Sequence, residues 1–159
     1  MNEGARREGR RHLRRLDRIH VPAPIFYITC CVGKRQPVLV TGIVAAVLTE
    51  AWRSASDIYG WRIGRYVVMP DHVHFFASCG GDETHDLSKF MGSWKRWTRR
   101  GIRECGLPAF VWQREFFDHV LRSSESYSQR WEYVYQNPVR AGLVVRAEDW
   151  PDQGEVWVL

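Results

Sequence analysis

No apolar run in this chain approaches the roughly 18 residues of a membrane span, and the arginine-rich start is not followed by the apolar stretch of a signal peptide. These two absences predict a soluble, cytoplasmic protein with no membrane partner. Cysteine is scarce: the four residues Cys30, Cys31, Cys79 and Cys105 form no C-x-x-C pair and lack the dense, even spacing of a secreted disulfide scaffold. Two adjacent and two isolated cysteines do not make the paired ligand knuckles of a structural zinc site, so they read as reduced, mostly buried thiols. Internal repeats and low-complexity core segments are also missing.

What is present is enough apolar surface for one compact domain. The chain has 159 residues, of which 45% are hydrophobic and 13% aromatic. A formal net charge of +5 points to a polyanionic partner. The charge is uneven: seven arginines lie between Arg6 and Arg18, against Glu3, Glu8 and Asp17. Residues 1–21 therefore read as a flexible basic arm, with Arg14 and Arg15 among its candidate phosphate contacts. A single domain is expected over 22–147, and 148–159 reads as a short, acidic tail.

Pro22 and Pro24 end the arm, and the β-branched and aromatic run Ile25 to Val32 predicts the first strand. Ile43, Val44, Val47, Leu48, Ala51 and Trp52 recur at helical spacing, which predicts a helix from Val40 to about Ser56. Two extended runs, Trp61 to Met69 and His72 to Cys79, are joined by Pro70-Asp71 alone, too short for a crossover, so they must pair antiparallel. Leu87, Phe90, Met91, Trp94, Trp97, Thr98 and Ile102 mark a second amphipathic helix ending by Gly106. A fourth strand is expected between Val111 and Leu121. Ser123-Ser124-Glu125 then starts a last helix, which should run to about Asn137 because Pro138 disfavours helical geometry in the residue before it. The expected fold is α+β: a ferredoxin-like or RRM-like four-stranded antiparallel sheet, βαββαβ, with an additional C-terminal helix.

The most informative stretch is Val68-Met-Pro-Asp-His-Val-His-Phe75. On a strand His72 and His74 project from the same face while Val73 points away, so two imidazoles can meet one cation. The surrounding segment is hydrophobic and would accommodate two polar rings poorly without partners. A divalent ion taking mixed nitrogen and oxygen ligands fits, Mn2+ at least as well as Mg2+. Two ligands seldom complete such a site, and the last helix offers more. Tyr133 and Asn137, four residues apart, share one face with Arg130 and Ser126, while Tyr127, Trp131 and Val134 take the apolar side. Tyr133 is thus the leading nucleophile candidate, Tyr135 the second, and Tyr127 a core residue.

Three blocks in this order resemble one family: Val68 to Phe75, Trp112-Gln-Arg-Glu-Phe-Phe-Asp-His-Val-Leu-Arg122, and Glu132-Tyr-Val-Tyr-Gln-Asn-Pro-Val-Arg-Ala-Gly-Leu143. They look like the signature of the REP-associated tyrosine transposases, which belong with the insertion-sequence-200-like enzymes carrying a His-hydrophobic-His (HUH) motif. The resemblance covers about residues 10 to 150. It implies that His72 and His74 bind the metal, that Tyr133 is the nucleophile, and that Asn137 gives the third metal contact. It also implies cleavage and rejoining of single-stranded DNA through a 5′-phosphotyrosine, at hairpins formed by repetitive extragenic palindromes. No small-molecule cofactor is implied, and relatives include both monomers and homodimers.

The second helix carries Lys89, Lys95, Arg96, Arg99, Arg100 and Arg103 with no acid between the first and the last. Arg96, Arg100 and Arg103 form a stripe opposite Leu87, Met91, Trp94 and Thr98, so the helix can pack and still offer charge to phosphates. Trp61, Trp97 and Trp112 are possible stacking platforms, although core packing suits each better. Two rivals exist. One is a nucleic-acid-binding module without catalysis, which would be indifferent to a chelator. The other is a histidine phosphoesterase, which would want a third alternating histidine where position 76 is Phe.

Overall fold

The computed structural model describes residues 23–80 and 86–159; the basic arm, with Arg14 and Arg15, lies outside them. Among the described residues five strands form one antiparallel sheet in the order β4-β1-β3-β2-β5: β1 Ile25–Cys31, β2 Trp61–Met69, β3 His72–Cys79, β4 Phe117–Leu121 and β5 Gln153–Glu155. The α+β class stands, but the expected count of four strands does not. The segment 148–159 supplies β5 on the open edge of β2, where Val68 N–H also donates to the Asp152 carbonyl at 2.8 Å. Three residues reading Gln-Gly-Glu carry no strand propensity; they are extended because an unpaired edge offers its backbone groups.

The helices are α1 Gly42–Tyr59, α2 Leu87–Glu104, α3 Ser124–Tyr135 and the four-residue α4 Asn137–Arg140. Their ends follow side-chain chemistry. Thr41, Asp86 and Ser123 accept hydrogen bonds from first-turn N–H groups, and Gly60, at φ 71°, closes α1 in the left-handed region that favours glycine. The last helix does not stop at Asn137. It breaks at Gln136 and resumes as α4, because Pro138 falls at the start of a new turn, where its missing N–H is not needed. The fourth strand is also shorter than expected: within 111–116 only Trp112 bridges to the sheet, opposite Val32.

Alternation along the strands splits the core in two. Ile28, Cys30, Val73, Phe75 and Ala77 face α1 and α2, where Trp52 stacks on Trp94. Tyr27, Val67, Met69, Phe76 and Leu121 face the other way, under Tyr127, Trp131 and Val134 of α3. A bulge between Ile63 and Tyr66 shifts the parity of β2, so Trp61 and Ile63 serve the first layer while Val67 and Met69 serve the second. Within the bulge Gly64 leaves room for the Leu159 side chain, whose Cδ1 would lie 2.7 Å from a Cβ there, so a larger residue would make Leu159 move. Among the described residues no helix is long and apolar enough to cross a membrane. Cys30 is buried, Cys31 and Cys79 are half-buried, and Cys105 is exposed, against the expectation of mostly buried thiols.

One buried polar contact fixes α2 to the segment before β4. Thr98 Oγ1 donates to the Trp94 carbonyl at 2.9 Å and accepts from Trp112 Nε1 at 3.0 Å. Thr98→Val keeps the shape and strands the indole N–H, so it is expected to cost about 1–3 kcal/mol. Urea unfolding of the two proteins checks this, and an unchanged midpoint would show that the indole finds another acceptor.

Candidate active site

The hairpin β2-Pro70-Asp71-β3 places both motif histidines on the sheet face beneath α3. Their Nε2 atoms lie 3.0 Å apart with the rings at 83°. Each Nδ1 has its own partner. His72 Nδ1 donates to Asp71 Oδ1 at 2.6 Å, and His74 Nδ1 lies 2.9 Å from the Tyr27 hydroxyl and 2.8 Å from that of Thr29. Antiparallel register explains this set, because Thr29 sits opposite His74 and Cys31 opposite His72.

Burial pushes His74 down to about 3, with the charges of Arg35 and Arg140 and the adjacent His72 adding to the drop. Burial also lowers His72, although Asp71 opposes it. Burial works against the Asp71 carboxylate, but the hydrogen bond and charge of His72 and the Arg35 ion pair together hold it below the usual range. Both rings are therefore neutral donors at neutral pH. Unfolding lets His74 take up a proton near the ordinary value, so the native state binds fewer protons between that value and about 3. The His74 contribution should then be fully present above pH 6.5 and fall by up to about 1.4 kcal/mol per pH unit below it, and the lowered His72 adds to the loss in the same direction. Urea unfolding between pH 8 and pH 5 measures this; a flat profile would mean that His74 protonates freely in the folded protein.

The polar side of α3 and α4 faces the same region. Tyr133 is 56% exposed, and the Arg140 guanidinium lies 4.0 Å from its ring centroid. Arg140 also donates to the Tyr133 carbonyl at 2.6 Å and to Asn137 Oδ1 at 3.0 Å, tying the expected nucleophile to the expected third ligand. Arg130 lies 5.2 Å from the ring centroid of Tyr27, the residue that touches His74. Burial raises the Tyr27 hydroxyl, Thr29, Arg130 and Arg140 counter this, and Tyr133 adds to the rise, so the charges of these helices act on the base of the site. By contrast Tyr135 packs at a tilt against Trp131, ring centroids 5.4 Å apart, and Tyr127 packs edge-on against Phe76 at 4.8 Å.

Among the described residues no group of three or more His, Cys, Asp or Glu side chains could hold a metal. A cation here would have two imidazoles and neutral oxygens. The arrangement fits: two nitrogens each about 2.1 Å from one ion are about 3 Å apart when they subtend a right angle, and a carboxylate behind one imidazole is the usual outer partner of a ligating histidine.

The remaining sequence candidates are elsewhere. Lys89, Arg96, Arg99, Arg100 and Arg103 are exposed on α2, in the opposite layer from the histidines. Arg100 pairs with Glu104 at 2.7 Å, while Lys95 reaches the Gln113 and Arg114 carbonyls at 2.8 and 2.9 Å and so holds a loop. Trp61 and Trp112 are core residues, and Trp97 is half-buried. Sequence reasoning missed Tyr27, Thr29, Arg35, Asp71 and Arg140. Asp71 was legible as the neighbour of His72; the others needed the β1-β3 register or the turn into α4.

The IS200-like transposase model matches residues 23–137, which takes in both histidines, Tyr133 and Asn137. The chain belongs to that family. At 32% identity over 92 residues it is similar to the REP-associated tyrosine transposase of Escherichia coli (strain K12), the match taking in 57% of this chain and 52% of that protein. A Haemophilus influenzae (strain ATCC 51907 / DSM 11121 / KW20 / Rd) protein provisionally named as a REP-associated tyrosine transposase matches at 24% identity, over 64% of this chain and 63% of its own length. The chain thus spans about half to two thirds of these relatives. In fold it is similar to a solved REP-associated tyrosine transposase bound to a REP hairpin, with a TM-score of 0.68 and 23% identity over 89% of this chain and 82% of that one.

Proposed function

We propose that this family member cuts and rejoins single-stranded DNA at REP-type hairpins through Tyr133, as an HUH endonuclease and strand transferase. The observation that carries the reading is the convergence of two neutral imidazole Nε2 atoms, 3.0 Å apart, on the sheet face that α3 covers. The likeness to REP-associated transposases supports the substrate class.

His72, His74 and Asn137 would hold a divalent ion, Mg2+ or Mn2+, which when bound withdraws charge from a non-bridging oxygen of the scissile phosphate. The Tyr133 oxygen attacks the phosphorus and loses its proton, the bond to the 3′-oxygen breaks, and that oxygen leaves as a 3′-hydroxyl after gaining a proton. The strand end stays on the protein as a 5′-phosphotyrosine. Because the ester is exchanged and not hydrolysed, a second 3′-hydroxyl can attack the same phosphorus, rejoin the strand and release Tyr133. Arg140, over the Tyr133 ring and bonded to Asn137, places positive charge where phenolate and phosphate charge come together.

The test is incubation of the chain with a short REP-type hairpin flanked by single strand. Mn2+ or Mg2+ should give a covalent protein–DNA band, and a chelator should abolish it while hairpin binding persists. Binding with no cleavage under any divalent ion would instead favour a non-catalytic binding module.

A further inference from the structure

The turn after β1, Gly33–Arg35, is unusual in its backbone. Lys34 and Arg35 take φ of 55° and 54°, a left-handed conformation that residues bearing a Cβ rarely adopt. Such conformations persist where the surroundings dictate them, and they cluster at functional sites. Here Gly33 N–H donates to the Val111 carbonyl at 2.6 Å, Val32 N–H to that of Asp71 at 2.9 Å, and Arg35 N–H to that of Val32 at 3.0 Å. Gly33 is itself required, since a Cβ would lie 2.9 Å from the Val111 oxygen.

What this turn delivers is the Arg35 guanidinium. Its Nε lies 2.7 Å from Asp71 Oδ2, while the other carboxylate oxygen, Oδ1, accepts from His72 Nδ1 at 2.6 Å. One Arg35 nitrogen also donates to Cys31 Sγ at 2.8 Å, and the other stands 3.4 Å from His72 Nδ1. The carboxylate is thus held from both sides. A carboxylate that accepts the Nδ1 proton fixes both the ring orientation and the tautomer, leaving the Nε2 lone pair free.

We infer that Arg35 is a positioning residue: by clamping Asp71 it keeps His72 in the Nδ1–H form with Nε2 turned toward His74. The inference rests on the metal-site reading above and deepens it. The side chain of Arg35 is 51% exposed, so direct contact with a DNA phosphate is the competing role.

The test uses the full chain and the variants Arg35→Gly, Arg35→Lys, Asp71→Asn and Arg35→Gly/Asp71→Asn. Glycine suits a positive φ, so Arg35→Gly removes the guanidinium without straining the turn. Long-range 1H–15N spectra of the His72 ring, recorded without metal or DNA, report the tautomer, and calorimetric titration with Mn2+ alone reports ligation. The wild type should show Nδ1–H, and Arg35→Gly a mixture with Nε2–H. Mn2+ affinity should fall about 10- to 100-fold in Asp71→Asn and about 3- to 10-fold in Arg35→Gly, with Arg35→Lys recovering part of the loss. In the Asp71→Asn background the second change should add nothing, because both act through one path. An unaltered tautomer in Arg35→Gly, with the loss confined to hairpin affinity, would overturn the inference in favour of phosphate contact. An undiminished effect in the Asp71→Asn background would overturn it as well. A wild type that binds no Mn2+ but whose His72 tautomer still responds to Arg35→Gly would remove the metal-site reading and leave the clamp standing.

Discussion

Tyr133→Phe is expected to abolish the covalent protein–DNA adduct, lowering cleavage by about 10^3-fold or more, while hairpin binding stays within about twofold of wild type. The contrast follows from where the hydroxyl is. Tyr133 is 56% exposed on the flank of α3, so losing one oxygen removes no core contact, and the ring that Arg140 covers is kept. Tyr135 and Tyr127 are the other phenols of that helix, and both are engaged in ring packing, on Trp131 and on Phe76. Denaturing gels on a labelled hairpin separate adduct from complex. Undiminished adduct in the variant would move the nucleophile to one of those two residues.

Removing either motif histidine should be as severe for a different reason. His72→Ala and His74→Ala each leave one nitrogen where two converge, and cleavage should drop by about 10^3-fold with Mn2+ affinity lost in parallel. Their effects on folding should differ. His74 is buried and its Nδ1 lies within hydrogen-bond reach of both the Tyr27 and Thr29 hydroxyls, so His74→Ala takes away that shared partner, leaves the two hydroxyls only their own 3.2 Å bond to each other, and should destabilise the protein by about 1–3 kcal/mol. His72 is less buried and its Asp71 partner keeps Arg35, so His72→Ala should stay near wild-type stability. Cleavage by a well-folded His72→Ala at the wild-type rate would remove the histidine pair from the reaction.

How much of this was legible in the sequence depends on how far each feature rests on local chemistry. β2 and β3 have the expected limits because Pro70-Asp71 admits only a tight reversal between two runs of branched and aromatic residues. The face carrying His72 and His74 follows from strand alternation alone. Tyr133 and Asn137 fall on separate helices, α3 and α4, and what links them across Gln136 is Arg140, which donates to the Tyr133 carbonyl and to Asn137 Oδ1. Other features depend on pairings between distant segments. β5 exists only because β2 has an open edge, and Arg35 meets Asp71 only because β1 and β3 are neighbours. The basic stripe of α2 was visible, but its position in the layer away from the histidines was not, because periodicity tells which side of a helix is buried and not which side of the sheet it covers.

The proposed reaction turns on one covalent bond between Tyr133 and a DNA 5′-phosphate. Trapping the adduct with a REP-type hairpin in Mn2+, digesting it with trypsin and nuclease, and sequencing the modified peptide by tandem mass spectrometry locates that bond directly. The expected peptide runs from Trp131 to Arg140, with the nucleotide remnant on Tyr133 as a phosphotyrosyl ester. A remnant on Tyr135, on Tyr127 or on any residue outside α3 would contradict the account.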